Sequence, residues 1–230
     1  MIGIIGAMQV EIDGIREKMT EISEQTVSGV TYTKGRVGKT EVVTAVCGVG
    51  KVFAAICAQT MILRYNVSAV INTGIGGTLS PEIGILDLAI SSGVVEHDMD
   101  TSAVGDPVGM ISGINMIELP ADPHLYALAE RTAGELGIRF QTGIIASGDQ
   151  FVADRARKDF IHETFHAIAC EMEGAAVGHV CFVNQVPFVI LRAISDDVSG
   201  GGPADYNAFK MKAAAVSNRM TLALLAALEK

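Results

Sequence analysis

Three acidic residues stand just beyond runs of Val, Ile and Ala that read as strands: Glu11 after IGIIG, Glu173 after AIACEM and Asp196 after VILRAIS. In chains where strand and helix alternate, the carboxyl ends of the strands form the rim at which ligands bind. Carboxylates gathered at such a rim are candidates for acid and base work. A lone carboxylate there is more simply read as solvated or as capping a helix N-terminus. The recurrence of three is what points to chemistry, and by itself it does not name a reaction.

Other patterns lead less far. His162-Glu163-Thr164-Phe165-His166 matches HExxH, in which a helix sets two imidazoles on one face for zinc and the Glu serves as general base. The second His runs straight into the strand-like HAIACEME, leaving too little helix, and Glu171 and Glu173 are too near to be the usual distant third ligand. Gly38-Lys39-Thr40 resembles the end of a phosphate loop, but Thr33 stands where its first Gly belongs and a strand follows, so a hairpin turn is expected. Gly48-Val49-Gly50-Lys51 opens a helix after a strand, where backbone N–H groups can hold an anion or a ligand oxygen.

The elements that must position these residues follow from periodicity. Val- and Ile-rich runs predict strands at 2–6, 30–37, 41–46, 68–73, 85–96, 139–146, 166–171 and 187–195. Three- and four-residue apolar spacing predicts helices at 8–19, 51–65, 122–136, 173–184 and 205–229. The alternation implies an α/β fold, and TYTKGRVGKTEVVTAV, read as a hairpin, makes its sheet mixed. Residues 98–121 form a long irregular connection with several exposed-looking apolar residues, expected to cover a site or to meet another subunit.

Composition sets the class. The chain has 230 residues, 49% of them hydrophobic and 19% charged, and no compositional break marks a linker, so residues 1–230 read as one domain with ample core. A net charge of −9 with 17 scattered Lys and Arg offers no basic face to a nucleic acid. Cys47, Cys57, Cys170 and Cys181 form no CxxC pair and lie in apolar runs, as expected of a reducing compartment. With no basic segment ahead of the first apolar stretch and no long apolar run later, a cytoplasmic protein without membrane contact is expected.

Five segments, GIIGAM at 3–8, NTGIGG at 72–77, SGDQFV at 147–152, CEMEGAA at 170–176 and RAISD at 192–196, resemble in order the motifs of the 5′-methylthioadenosine/S-adenosylhomocysteine nucleosidases. The resemblance spans essentially the whole chain. EMEGAA and RAISD are shared with the wider purine nucleoside phosphorylase superfamily, whereas GAM with Glu11 three residues on resembles the hydrolase branch. It implies a single-domain three-layer α/β/α fold with a mixed central sheet, no cofactor and no metal, and N-glycosidic hydrolysis of methylthioadenosine, S-adenosylhomocysteine or 5′-deoxyadenosine in methionine salvage.

The same resemblance implies roles. Asp196 would protonate adenine N7 with Ser195 beside it, which requires burial to hold a proton on a group whose ordinary pKa is about 3.9. Glu11 would activate the attacking water, and Glu173 would hold the ribose hydroxyls and face the developing positive charge. Arg192 would orient Glu11, Glu173 and the water, while Phe151 stacks on adenine and Val152 reads its edge. Met8, Val49, Met172 and Tyr206 would surround the ribose and 5′-thio group. A homodimer is implied, with an apolar loop around Val104, through about Ile114, closing the partner's pocket. Ile75 departs from the pattern, standing where many members carry Ser.

Three alternatives predict different behaviour. A phosphorylase needs a phosphate site, which an acid in GAMQVE would repel. A nucleoside sensor would keep Phe151 and Glu173 but need neither Glu11 nor Asp196. A zinc hydrolase built on HETFH would be stopped by chelators.

Overall fold

Strand β5 (Ala69–Thr78) is buried along all ten residues and joins two parts of one sheet. On one side it pairs in parallel with β1 (Ile2–Gly6), which pairs in parallel with β4 (Thr40–Val46) and through it with the antiparallel β3 (Val30–Val37) and β2 (Thr20–Val27). On the other it runs parallel to β10 (Phe188–Asp196), while its last residues pair with the antiparallel β9 (Ala167–Glu171). Strands β6 (Leu88–Glu96) and β8 (Phe140–Ser147) complete a ring, β5–β10–β6–β8–β9, so half of the sheet closes on itself. This computed structural model describes residues 1–197 and 202–229.

Helices cover both faces of the sheet. On one, α2 (Lys51–Tyr65) and α5 (Gly174–Val183) bury Ala54, Cys57, Met61, Val177 and Cys181 against Ile5, Val70 and Ile190. On the other, α3 (Pro123–Glu135) and α6 (Gly202–Ala227) bury Leu125, Leu128, Met220 and Leu224 against Ile4, Ile71 and Leu191. A strand with helices on both sides must be largely apolar on both, which is why β5 and β10 open on continuous apolar runs, Ala69–Ile71 and Phe188–Leu191, before their polar residues begin. The α/β class, the mixed sheet and the hairpin at Val37–Thr40 stand as expected, and all four cysteines are free and buried.

Three elements differ from expectation. Residues 8–19 hold only a 3-10 turn at Gln9–Glu11 and one turn of helix, α1 (Asp13–Arg16), because the Glu11 carboxylate takes the Ala7 and Met8 N–H groups and folds the chain back on itself. Strand β2 escapes periodicity because it is a solvated edge strand, TEISEQTV, with no buried residue and thus no apolar alternation. Helix α4 (Arg155–Phe165) escapes it because its buried stripe is Lys158, Ile161 and Phe165, with a lysine in an apolar place. Within 98–121 a 3-10 turn at Ser102–Val104 and a short strand β7 (Glu118–Pro120) interrupt the irregular path. Among the described residues no helix is long and apolar enough to cross a membrane.

Helix α5 matters to the site because Glu173 is its N-cap residue. It reaches the sheet at Gly178, where a Cβ would lie 2.7 Å from Val94 and 3.0 Å from the Phe188 ring. Gly178→Val should therefore overpack this layer and lower stability by about 1–3 kcal/mol in chemical denaturation. An unchanged midpoint would show that α5 is free to move off the sheet.

Candidate active site

The carboxyl ends of β1, β5, β9 and β10 and the loop after β8 meet at one pocket. Its walls include Met8, Glu11, Val49, Ile75, Phe151, Val152, Met172, Glu173, Ser195, Asp196 and Tyr206. Eleven of the thirteen residues singled out from sequence are thus brought together. The other two are elsewhere: Arg192 lies beneath the floor, and Val104, 82% exposed, faces away from the core.

Glu11 sits where β1 ends and β5 continues beyond it, paired only with β10 until β9 joins at Gly77. The β1–β5 register stops at Ile5 opposite Asn72, so the Ile75 N–H has no strand partner there. The Glu11 carboxylate takes that N–H at 3.0 Å and the Ala7 and Met8 N–H groups at 2.7 and 2.9 Å. Burial raises its pKa above the usual carboxylate range, against the opposing pull of Arg192 and these amides. Glycine makes the approach possible, since a Cβ at Gly74 would stand 2.6 Å from Glu11 Oε1.

Arg192 is a buried cation of this floor, and its closest partners, Glu171 and Asn72, are not the ones expected. Its guanidinium donates to Glu171 Oε2 from both Nε and Nη2, to the Asn72 side-chain oxygen at 2.5 Å and to the Asn72 carbonyl at 3.2 Å. Glu173 Oε2 is 4.0 Å away, and no direct bond joins Arg192 to Glu11. Glu171 further accepts from the Ser147 hydroxyl and from the Glu173 and Gly174 N–H groups. Arg192 thus orients Glu173 through Glu171 and the start of α5, and acts on Glu11 only through space. Glu171, Asn72 and Ser147 were missed by sequence reasoning, although Glu171 and Glu173, two apart at a strand end, share the spacing that puts side chains on one side.

Glu173 Oε1 accepts from the Gly50 N–H at 2.8 Å, and Asp149 from the Lys51 N–H at 2.8 Å. The N-terminus of α2 at Gly48–Lys51, read as a place for a ligand anion, is therefore occupied by the protein's own carboxylates. Gly50 has φ +106°, a backbone state that favours glycine. Burial, reinforced by the neighbouring Glu171 charge, pushes the Glu173 pKa up to about 7, although Arg192 and the Gly50 amide oppose it.

Asp196 Oδ1 accepts from the Ser195 hydroxyl at 3.0 Å and Oδ2 from the Lys158 ammonium at 3.0 Å. Burial alone is therefore not its environment, as the sequence had implied, because a cation on α4 faces it. Phe151 meets the Tyr206 ring edge to face, 5.6 Å between centroids, and the Tyr206 hydroxyl lies 3.2 Å from Met8 Sδ. The pocket thus joins a polar floor of acids to an aromatic and thioether wall suited to a flat, soft ligand. In HETFH, His162 Nδ1 lies 2.8 Å from the Ala167 carbonyl oxygen, and His166 falls beyond the end of α4 at φ +53°.

The whole chain is similar to known proteins. The family model of the phosphorylase superfamily matches residues 1–229. The chain belongs to this superfamily, among its methylthioadenosine/S-adenosylhomocysteine nucleosidases. A relative from Shewanella pealeana, 5′-methylthioadenosine/S-adenosylhomocysteine nucleosidase, is 37% identical over 97% of this chain and 98% of its own. A crystal structure of an aspartate-to-asparagine variant of the Helicobacter pylori MTAN, with 5′-methylthioadenosine in the active site, superposes with a TM-score of 0.94 at 35% identity, covering 98% of this chain and 97% of that one. The Helicobacter pylori protein crystallised as futalosine hydrolase also superposes at 0.94, with 36% identity and the same coverage. The nucleosidase fold is therefore shared along the whole length.

The raised pKa of Glu173 has a sign that stability can test. Its folded value, about 7, lies above the ordinary 4.5, so its contribution to folding is fully present below 4.5 and is lost as pH rises through about 7. The ligand-free protein should lose thermal stability from about pH 5 to about pH 8 more steeply than Glu173→Gln, whose amide does not titrate. Parallel curves for the two would refute a raised Glu173 pKa in the folded protein.

Proposed function

We propose that this pocket hydrolyses the N-glycosidic bond of 5′-methylthioadenosine and S-adenosylhomocysteine, releasing adenine and the thioribose. The observation that carries the reading is the meeting of Glu11, Glu173 and Asp196 around one pocket whose wall holds Phe151, Met8 and Tyr206. Residues 1–230 act as one nucleosidase domain, without cofactor or metal.

The chemistry follows from the placement. Adenine is a poor leaving group until N7 is protonated, and Asp196, with Ser195 beside it, is the acid that protonates it. The C1′–N9 bond then breaks with positive charge spreading over the ribose ring, which the Glu173 carboxylate stabilises while holding the ribose hydroxyls. Glu11, its carboxylate fixed by three N–H groups, takes the proton of the water that attacks C1′. Its raised pKa suits a base working near neutrality. Phe151 stacks on the adenine, the Val152 backbone reads the edge of the base, and Met172 and Val49 line the ribose and 5′-thio end.

The reading extends to a homodimer in the cytoplasm, serving methionine salvage and S-adenosylmethionine recycling. It is supported by Val49, Val52, Phe53, Ile56 and Leu63 on and beside α2, which with Val104 are exposed large apolar side chains that a second copy would cover. Val104 then closes the 5′-thio end of the partner's pocket. Tolerance of other 5′ groups, 5′-deoxyadenosine among them, follows from the flexible thioether side chains of Met8 and Met172 in the pocket wall.

Purified protein should release adenine from methylthioadenosine at a rate independent of phosphate and of chelators. Strict phosphate dependence would make it a phosphorylase, and chelator sensitivity would return attention to HETFH. Asp196→Asn and Glu11→Gln should each lower kcat by about 10²–10⁴-fold with the fold intact, and wild-type rates in either would refute that role. Because Glu173 works as a carboxylate, kcat/KM should fall as pH drops below about 7.

A further inference from the structure

Lysine 158 has no place in the chemistry described so far, yet it is 1% exposed and among the largest fully buried side chains. A lysine on an amphipathic helix ordinarily turns to water, because burying an ammonium is costly unless it is paired. Here α4 turns it inward, where Nζ donates to Asp196 Oδ2 at 3.0 Å and to the Asp197 carbonyl at 2.6 Å.

Both oxygens of Asp196 are engaged, but not equivalently. Oδ2 faces a group that can only donate, whereas Oδ1 faces the Ser195 hydroxyl, which can donate or accept. That hydroxyl has a second acceptor, the Gly76 carbonyl at 3.3 Å. When Oδ1 carries a proton, the Ser195 hydroxyl turns to Gly76 and no polar atom is stranded. A proton on Oδ2 would instead point at an ammonium.

We propose that Lys158 is a positioning residue for the reaction: it holds Asp196 by Oδ2, makes Oδ1 the oxygen that delivers the proton, and neutralises the carboxylate left behind. This rests on Asp196 being the general acid. As the Asp196 O–H bond breaks and the N7–H bond forms, the C1′–N9 electron pair leaves with adenine. The attacking water forms the new C1′–O bond and gives its proton to Glu11, and exchange with solvent returns one proton to Asp196. The charge that appears on Asp196 during transfer lies in a buried site, and the ammonium beside it stabilises the transition state more than the resting acid.

The test follows adenine release from methylthioadenosine by wild type, Lys158→Met, Asp196→Asn and the double variant, with melting temperatures measured alongside. Lys158→Met is expected to lower kcat about 10²-fold while KM stays within a few-fold. In the Asp196→Asn background, adding Lys158→Met is expected to cost nothing further, because the residue acts only through the acid. The double variant leaves neither Lys158 nor Asp196 as an unpaired buried charge, so even if Lys158→Met alone fails to fold, a further loss on adding it to Asp196→Asn would overturn the proposal. Equal losses in both backgrounds, or a wild-type kcat in Lys158→Met, would overturn the proposal. Should Asp196→Asn itself stay active, the acid assignment falls and takes this role with it. An inactive Asp196→Asn beside a fully active Lys158→Met would remove Lys158 alone.

Discussion

The site is organised by the need to bury four carboxylates against two cations. Glu11, Glu171, Glu173 and Asp196 are all buried, and so are Arg192 and Lys158. Charge held out of water must be paired, hydrogen-bonded or neutralised by protonation, and each acid meets this demand differently. Glu171 is held by Arg192 and by the N–H groups that begin α5. Asp196 is held by Lys158, and Glu11 by three N–H groups of its own loop and of β5. Glu173 has the Gly50 N–H and a guanidinium 4.0 Å away, and burial raises its pKa to about 7, as burial also raises that of Glu11. Unequal compensation is how one pocket keeps acids ready for different tasks.

The sheet supplies what this pairing requires. Because β5 loses β1 beyond Asn72 and gains β9 only at Gly77, its middle residues present N–H groups and open space on one side. Glycines at 74 and 77 let carboxylate oxygens lie where a side chain would stand, at 2.6 and 2.7 Å from the missing Cβ. The closed ring brings β10 beside β5 and β9 close by, so three strand ends deliver Asp196, the Glu11 contact and Glu171 to one place. An open parallel sheet would spread them along a rim.

Much of this was legible in the chain. Strand ends carrying acids, and a helix with a clear apolar stripe such as α3, follow from periodicity and need no tertiary knowledge. What escaped was whatever tertiary contact decides. Edge strand β2 has no buried face to betray it, and helix 8–19 gave way because a side chain, Glu11, competes for backbone N–H groups. Helix α4 was hidden by the inward lysine that makes it interesting. Arg192 was identified, but its partner Glu171 was not, because only the fold reveals which acid a guanidinium reaches.

Ile75 shows the limit of reading a site by residue type. The family resemblance implies Ser at this position, whereas Ile75 brings no hydroxyl to the pocket wall. The contact that matters to Glu11 is the Ile75 N–H at 3.0 Å, which any residue but proline supplies. The side chain itself packs with Ala193 and Ala213 and against Met8 and Tyr206, extending the apolar wall of the pocket. The exchange therefore keeps the N–H that holds Glu11, the base in the mechanism we propose, and changes only the pocket's lining, so its consequence belongs to substrate preference and not to the proposed acid and base.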